Sequence, residues 1–290
     1  MAGMVLSVSS PPRWALHPFV VIAMILASSG RTFLISRLAL AALALCSAGA
    51  ARAEPPGVSV AAAASLKPVL DELAAAFQRR EPNTPLRVSY GASATLLAQL
   101  ANGAPFDLFL SADREEPARA AERGLADGAP FLFAHGQLAV WVPNGSPLRL
   151  ERDGLAALED PSVRRIAIAN PDVAPYGRAA RAALESAGLW SRLGPRLVTG
   201  RNVAQAAQFA ESGNAEAALV ALSLARAPPL ATAGRCWVVP ARLHGEALAH
   251  AGIIVRNAPA AAAAARLRDL LLGPEGRAAL VRHGYQLPER

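Results

Sequence analysis

Short β-rich runs alternate with longer amphipathic segments along most of the chain, a pattern typical of α/β folds. The first pair is a predicted strand at Val58–Ala62 and a predicted helix at Lys67–Arg79 with one apolar face. Loops near Ala134–Gln137 and Pro240–His250 are predicted to cross between two lobes. Further strands are predicted at Leu86–Tyr90, Phe106–Ser111, Leu138–Val142, Arg165–Ile168, Ala217–Ala221, Cys236–Val239 and Ala249–Val255, and further helices at Ala94–Ala101, Glu115–Arg123, Gly177–Ala187, Val203–Glu211, Leu222–Arg226, Pro259–Leu271 and Pro274–Arg282.

The first 53 residues have the layout of a secretory signal peptide. Arg31 and Arg37 precede the apolar run Leu38–Cys46, and Ala51-Arg52-Ala53 forms an A-x-A cleavage site. The alternative is a membrane anchor, but Ser28–Arg31 and Arg37 interrupt any apolar span near the required length of about 20 residues. We therefore expect cleavage after Ala53 and a periplasmic location.

The charge balance argues against a nucleic-acid partner. The chain carries 29 basic and 22 acidic residues, a formal charge of +7, and four of the arginines lie in residues 1–53, which contain no acid. From Glu54 onward the balance is therefore 25 against 22, or +3. So small a net charge over a whole domain does not indicate a surface that binds the phosphate backbone of a nucleic acid.

Motifs for catalysis or metal binding are weak. His244 and His250 are six positions apart and fail the usual zinc spacings, also when combined with Cys236. Gly91–Thr95 begins like the turn that presents a nucleophilic serine, Ser93, but Thr95 replaces the second glycine. There is no phosphate-binding loop and no dinucleotide fingerprint. The sequence thus predicts no enzyme and no cofactor.

Small and neutral hydrogen-bonding residues occur where predicted strands lead into helices. Ala63-Ala64-Ser65, Gly91–Thr95, Pro175-Tyr176-Gly177 and Gly200–Val203 each open a helix. A helix start leaves backbone N–H groups free and carries about half a positive charge, so several starts at one cleft could bind an anion without a charged side chain. Taken singly, Ser65, Ser93 and Asn202 are ordinary helix caps.

These junctions give the chain a family resemblance. In order and spacing it resembles the periplasmic molybdate-binding proteins of ABC importers over essentially all of residues 57–288. The motifs that carry the resemblance are Val58–Leu66, Tyr90–Leu96, Gly103–Asp113, Asn170-Pro171 with Pro175–Gly177, Asn202–Ala206, Val220–Ser223, Leu272–Gly276 and His283–Tyr285.

The resemblance implies a type II periplasmic-binding-protein fold, with two α/β lobes joined by two crossover segments around a ligand cleft. Lobe I would comprise residues 54–137 and a return segment, 243–290, and lobe II residues 138–242. It also implies a monomer that captures molybdate or tungstate and delivers it to an ABC permease in the inner membrane. The implied anion contacts, which touch the oxygen atoms and not the metal, are Ser65, Ser93, Tyr176, the amide of Val203 and the amide of Ala64.

One position departs from the family. Some members place a tyrosine donor in the strand where this chain has Ala221. Tyr176 stands where those members often have a small residue, so its hydroxyl could replace the missing donor. The departure leaves the preferred anion open.

The remaining charged residues near the motifs are predicted to stay off the ligand. Asp107 and Asp113 are expected to be structural, Asp113 as a helix cap, because a carboxylate facing a dianion would repel it. Arg178 and Arg201 are expected on the surface, where they would steer anions toward the cleft.

Three alternatives stay open at this point. The same fold could bind sulfate, thiosulfate or a small organic acid, although no implied contact is an arginine that would clamp a carboxylate. A hydrolase using Ser93 would need a histidine within its reach. An anchored or sensory derivative of the fold would retain its N-terminal segment.

Overall fold

A computed structural model of the chain describes residues 57–245 and 248–289. The predicted signal peptide, residues 1–53, lies outside the described residues. The strands are β1 (Val58–Ala63), β2 (Leu86–Gly91), β3 (Leu108–Leu110), β4 (Ala126–His135), β5 (Leu138–Pro143), β6 (Ile166–Ala169), β7 (Leu197–Gly200), β8 (Ala217–Ala221), β9 (Gly234–Val238) and β10 (Ala249–Val255). The α-helices are α1 (Lys67–Arg80), α2 (Ser93–Ala101), α3 (Glu115–Glu122), α4 (Leu150–Asp153), α5 (Pro175–Ser186), α6 (Trp190–Leu193), α7 (Val203–Glu211), α8 (Leu222–Ala225), α9 (Leu230–Ala233), α10 (Ala261–Leu272) and α11 (Pro274–Arg282).

The strands form two five-stranded sheets. Sheet I has the order β2-β1-β3-β10-β4, and sheet II has the order β7-β6-β8-β5-β9. In sheet I, β1 runs parallel to β2 and β3, whereas β10 is antiparallel to its neighbours. In sheet II, β6 runs parallel to β7 and β8, whereas β5 is antiparallel to its neighbours. The two sheets with their helices are the two α/β lobes of the predicted fold class.

The chain passes between the sheets twice. The first passage, from β4 to β5, consists of Gly136 and Gln137 alone. It is therefore much shorter than the predicted loop at Ala134–Gln137, because β4 continues to His135. The second passage leads from β9 to β10 and contains a short 3₁₀-helix at Ala241–Leu243. The exact lobe boundaries, 54–137, 138–242 and 243–290, stay a prediction.

Burial explains why the central strands are apolar throughout. Every residue of β8 and β10 is buried, and β1 is buried at all positions except Ser59. Helices cover both faces of sheet I, so its inner parallel strands, β1 and β3, have no solvent face, whereas the edge strand β2 is partly exposed. One face packs against α1 and α10, and the opposite face packs Phe109 and Ile253 against leucines of α2. This rigid packing fixes the positions at which the strands end.

Most predicted elements are confirmed, four of them with the same bounds: Ala217–Ala221, Ala249–Val255, Val203–Glu211 and Pro274–Arg282. The strands β4 and β7 were not predicted. In the part of the chain that the structure describes, no helix combines the length and the apolar character needed to cross a membrane.

Candidate functional site

The carboxyl ends of four parallel strands, β1 and β2 in sheet I and β6 and β7 in sheet II, lead to one cavity. Such strand ends are where open α/β sheets bind ligands. The cavity encloses no more than about 200 Å³, below the range of about 300–1,000 Å³ for pockets that hold drug-sized molecules. Its lining comprises Ala63, Ala64, Ser65, Gly91, Ala92, Ser93, Ala112, Ala174, Pro175, Tyr176, Asn202 and Val203.

All five predicted contact residues line this cavity: Ala64, Ser65, Ser93, Tyr176 and Val203. The first three come from sheet I and the last two from sheet II, so the structure brings them together from both lobes. Their role as ligand contacts stays a prediction.

The lining contains no charged side chain, so its electrostatic character comes from helix starts and hydroxyls. Helices α2, α5 and α7 begin at Ser93, Pro175 and Val203. The amides of the first turn of a helix have no intrahelical acceptor. Asn202 caps α7, as predicted, because its side chain accepts a hydrogen bond from the amide of Gln205 at 3.0 Å. The site therefore presents a positive potential without a cation.

Ser93 is fully buried, and its hydroxyl is not a helix cap. The Oγ atom accepts a hydrogen bond from the amide of Ala112 at 3.1 Å. Because this oxygen acts as an acceptor, its own proton remains available for a ligand. The interpretation of Ser93 as an ordinary cap is thus wrong, and the interpretation as a donor keeps its support.

Ser65 is also fully buried and makes no cap bond. Its Oγ lies 3.2 Å from Nε2 of His250, and Nδ1 of that ring lies 2.8 Å from the carbonyl oxygen of Leu248. The carbonyl oxygen of Ser65 accepts hydrogen bonds from Ser223 Oγ and from the hydroxyl of Tyr285, both at 2.8 Å. His250 had no predicted role, because only the fold places it beside Ser65.

Tyr176 contributes a buried hydroxyl that makes no hydrogen bond of normal geometry among the described residues, although the hydroxyls of Ser65 and Tyr285 lie close to it. Tyr176 is 2% exposed, and its ring packs against the ring of His250 with 6.0 Å between centroids. Burial raises the pKa of Tyr176 well above its ordinary value, so the hydroxyl keeps its proton and can only donate or accept as a neutral group. A buried, unpartnered hydroxyl is costly unless a ligand satisfies it.

Ala221 ends β8 and is fully buried, but it does not line the cavity. Tyr176 does line it, from the neighbouring helix start. This arrangement is compatible with the expected exchange of one tyrosine donor for another.

The two aspartates near the second motif have structural contacts. Asp107 accepts hydrogen bonds from the amides of Ser59 at 2.8 Å and Ala260 at 2.9 Å. Asp113 accepts one from the amide of Glu116 at 3.1 Å, as expected for a residue that caps α3. Neither lines the cavity.

Arg178 lies partly at the surface, where it was expected, and does not line the cavity. Its guanidinium forms an ion pair with Asp113, a contact that was not predicted, and its side chain is 31% exposed. Since Arg178 belongs to α5 and Asp113 follows β3, the pair joins the two lobes. Arg201 is exposed, as predicted.

Two neutral hydrogen bonds also join the lobes. The amide of Ala94 in α2 donates to the carbonyl oxygen of Val173 at 3.2 Å. Ser223 in α8 donates to the carbonyl oxygen of Ser65. The lobes thus meet on several sides of the cavity, which is a closed arrangement.

The hydrolase alternative lacks its histidine at Ser93. Within the described residues, Ser93 Oγ accepts its hydrogen bond from the backbone amide of Ala112, and His250 lies beside Ser65 instead.

Comparison with known proteins assigns nearly all of the described chain to one family. The family model for bacterial extracellular solute-binding proteins matches residues 58–286. The molybdate-binding protein ModA of Rhodobacter capsulatus is 35% identical over 245 residues, which cover 84% of this chain and 94% of that protein. ModA of Azotobacter vinelandii is 34% identical over 260 residues, 88% of this chain and 99% of that protein.

Solved structures agree with this result. The Azotobacter vinelandii periplasmic molybdate-binding protein superimposes with a TM-score of 0.74 at 30% identity, covering 80% of this chain and 100% of that one. The sulfate-binding protein SubI of Mycobacterium tuberculosis has a TM-score of 0.60 at 14% identity, over 81% of this chain and 88% of that one, which shows a shared fold alone.

Proposed function

Because this chain belongs to the family of bacterial extracellular solute-binding proteins, we propose that it captures molybdate or tungstate in the periplasm and delivers it to an ABC permease. The proposal assigns it no reaction, and its signal peptide would be removed after Ala53. This choice of ligand is supported by two relatives that are named molybdate-binding proteins and that align with this chain over nearly their whole length.

The observation that carries the proposal is the unpartnered hydroxyl of Tyr176 in a cavity lined without charged side chains. Molybdate and tungstate are fully deprotonated dianions at neutral pH, so each of their oxygens only accepts hydrogen bonds. The hydroxyls of Ser93 and Tyr176 and the amides at the helix starts supply matching donors. A donor set of this kind satisfies the ligand and at the same time satisfies the buried hydroxyl.

A pocket that offers only hydrogen-bond donors at fixed positions also discriminates against phosphate and sulfate. Phosphate retains a proton near pH 7 and would require an acceptor such as a carboxylate, which the lining does not contain. Sulfate offers only acceptors but is a smaller tetrahedron. Donors that are fixed for the larger anion would make long and weak hydrogen bonds to it.

Lobe closure couples binding to transport in this proposal. Each lobe contributes part of the donor set, so the anion binds the closed arrangement better than an open one and shifts the population toward it. The permease would then recognise the closed form, and the binding protein would act as a monomer.

Thermal unfolding of the purified protein with millimolar molybdate, tungstate, sulfate, phosphate or thiosulfate tests the proposal. A ligand at 1,000 times its dissociation constant stabilises by roughly 4 kcal/mol, a rise in Tm of several degrees. We expect this rise with molybdate and tungstate alone. A rise in Tm with sulfate or thiosulfate instead would overturn the assignment of the ligand, and no rise in Tm with any of these anions would point to a different solute.

A further inference from the structure

His250 lies directly behind the proposed anion site and has a defined proton position. It is fully buried in β10, and its Nδ1 is 2.8 Å from the carbonyl oxygen of Leu248. A carbonyl oxygen can only accept, so Nδ1 carries the proton. In the neutral ring Nε2 is then an acceptor, and the hydroxyl of Ser65, at 3.2 Å, donates to it.

This arrangement conflicts with the binding of a dianion. The proton of Ser65 is already directed at His250, which leaves the lone pairs of its oxygen for the cavity. A fully deprotonated oxyanion also presents only lone pairs. For Ser65 to donate to the anion, Nε2 must either lose its hydrogen-bond partner or carry a proton of its own.

We propose that anion binding is coupled to the uptake of one proton at the Ser65–His250 pair. The proton comes from solvent and binds Nε2, which then donates to Ser65 Oγ while Ser65 turns its hydroxyl proton toward the anion. The proposal rests on the function proposed above and adds a positioning residue that acts through Ser65.

The surroundings of His250 favour this sequence of events. Tyr176 from α5 and Tyr285 from the C-terminal segment face its ring, and the imidazole of His135 from β4 lies nearby. The described groups that face it include no carboxylate that would hold it protonated before the anion arrives. Burial lowers the pKa of His250 to about 4, so the ring is neutral at physiological pH in this closed, ligand-free arrangement.

The sign of the pH effect follows from this pKa. A bound dianion stabilises the protonated ring and raises its pKa in the complex. Binding therefore takes up a proton between the two pKa values, and affinity is lost as pH rises through the pKa of the complex. The dissociation constant is expected to rise by up to about tenfold per pH unit there.

Titration calorimetry of the purified protein with molybdate, in buffers of different ionisation enthalpy from pH 5.5 to 8, counts the protons directly. We expect an uptake that approaches one proton per anion at the acidic end. Binding of molybdate without proton exchange over the whole range would overturn the coupling and leave the proposed function intact. Absence of binding of both molybdate and tungstate would instead overturn the proposed function; if only tungstate binds, the same proton count is made with tungstate.

His250→Gln assigns the proton, with His135→Gln as the matched control. The glutamine amide can donate to Ser65 but cannot titrate, so the folded variant should bind molybdate without proton uptake and with a flat pH profile. The control should retain the uptake. Undiminished uptake in folded His250→Gln would overturn the assignment, and the proton count of the wild-type protein decides the coupling even if the variant does not fold.

Discussion

Arg178 at the start of α5 forms an ion pair with Asp113, which follows β3 in the opposite lobe. Asp113 is 3% exposed, and its carboxylate is held in place by the hydroxyl of Ser111 at 2.8 Å and the amide of Glu116. A second carboxylate, that of Glu115, lies 3.9 Å from the same guanidinium. The arginine thus connects a fixed anchor in one lobe to the helix that presents Tyr176 from the other.

Arg178→Gln is expected to accelerate ligand dissociation, because it removes an ion pair that joins the two lobes in the closed arrangement. Since Arg178 is partly exposed, solvent screens the pair, and we expect a cost of up to about 1 kcal/mol, or up to about fivefold in the dissociation rate. Stopped-flow measurement at low and high salt checks this, with Arg181→Gln as control because Arg181 pairs with Glu185 within the same helix. Equal dissociation rates for wild type and Arg178→Gln at low salt would show that the pair does not hold the lobes together.

Ser93→Ala should weaken molybdate binding by about 1.5–3 kcal/mol, the range for losing a hydrogen bond to a charged group. The amide of Ala112 also loses its acceptor, so part of the loss will appear as reduced stability. Calorimetric titration measures the affinity, and thermal unfolding without ligand separates the two effects. Ser212→Ala, at an exposed position, is the control. Unchanged affinity would remove Ser93 from the site.

Tyr176→Phe should separate binding from stability. The hydroxyl makes no hydrogen bond of normal geometry among the described residues, so its removal costs no internal hydrogen bond, and Tm without ligand should stay equal or rise. The affinity for molybdate should fall by about 1.5–3 kcal/mol, since a donor to a charged ligand is lost. Tyr90→Phe is the control, because the hydroxyl of Tyr90 lies 3.4 Å from the carboxylate of Asp71 and Tyr90 does not line the cavity. An equal affinity in Tyr176→Phe would mean that lobe II binds through amides alone.

Gly136→Ala, in the first passage between the sheets, should displace the side chains that form the site. A Cβ atom there would lie 2.6 Å from Cε1 of His250 and would also collide with the hydroxyl of Tyr176. Overpacking of this kind typically costs about 1–3 kcal/mol of stability, and we expect the displaced tyrosine to reduce affinity at least tenfold. Gly145→Ala, where a Cβ meets open space, is the control for thermal unfolding and titration. Wild-type affinity in Gly136→Ala would contradict the tight packing described here.

The two strands that the sequence did not predict lie at sheet edges. β4 contains Gly128 and Pro130 and is exposed over much of its length, and β7 is four residues long and half-buried. An edge strand needs neither continuous apolar character nor a full set of backbone donors, so proline and glycine are tolerated there. The central strands, which must bury both faces, have the patterns from which they were predicted.

The site could be predicted only as far as its local motifs reach. Ser65, Ser93 and Val203 stand at strand-to-helix junctions, which the sequence marks, and the fold then brings those junctions to one cavity. The partners of these residues carry no local signal. His250 is 185 positions from Ser65, and Arg178 is 65 positions from Asp113. The first pair depends on strand order within lobe I and the second on the packing of the two lobes, and neither spacing nor composition encodes them in a readable way.

The helix starts around the cavity bear on how this protein could evolve. A main-chain N–H is present whatever residue occupies its position, except proline, so point substitution can rarely delete or move such a donor. Its location is inherited from the lengths of the strands and turns that end at the cavity. For the proposed ligand, a lineage would therefore change its anion mainly by insertions, deletions or shifts of a whole lobe, and the specificity should resist sequence drift over long times.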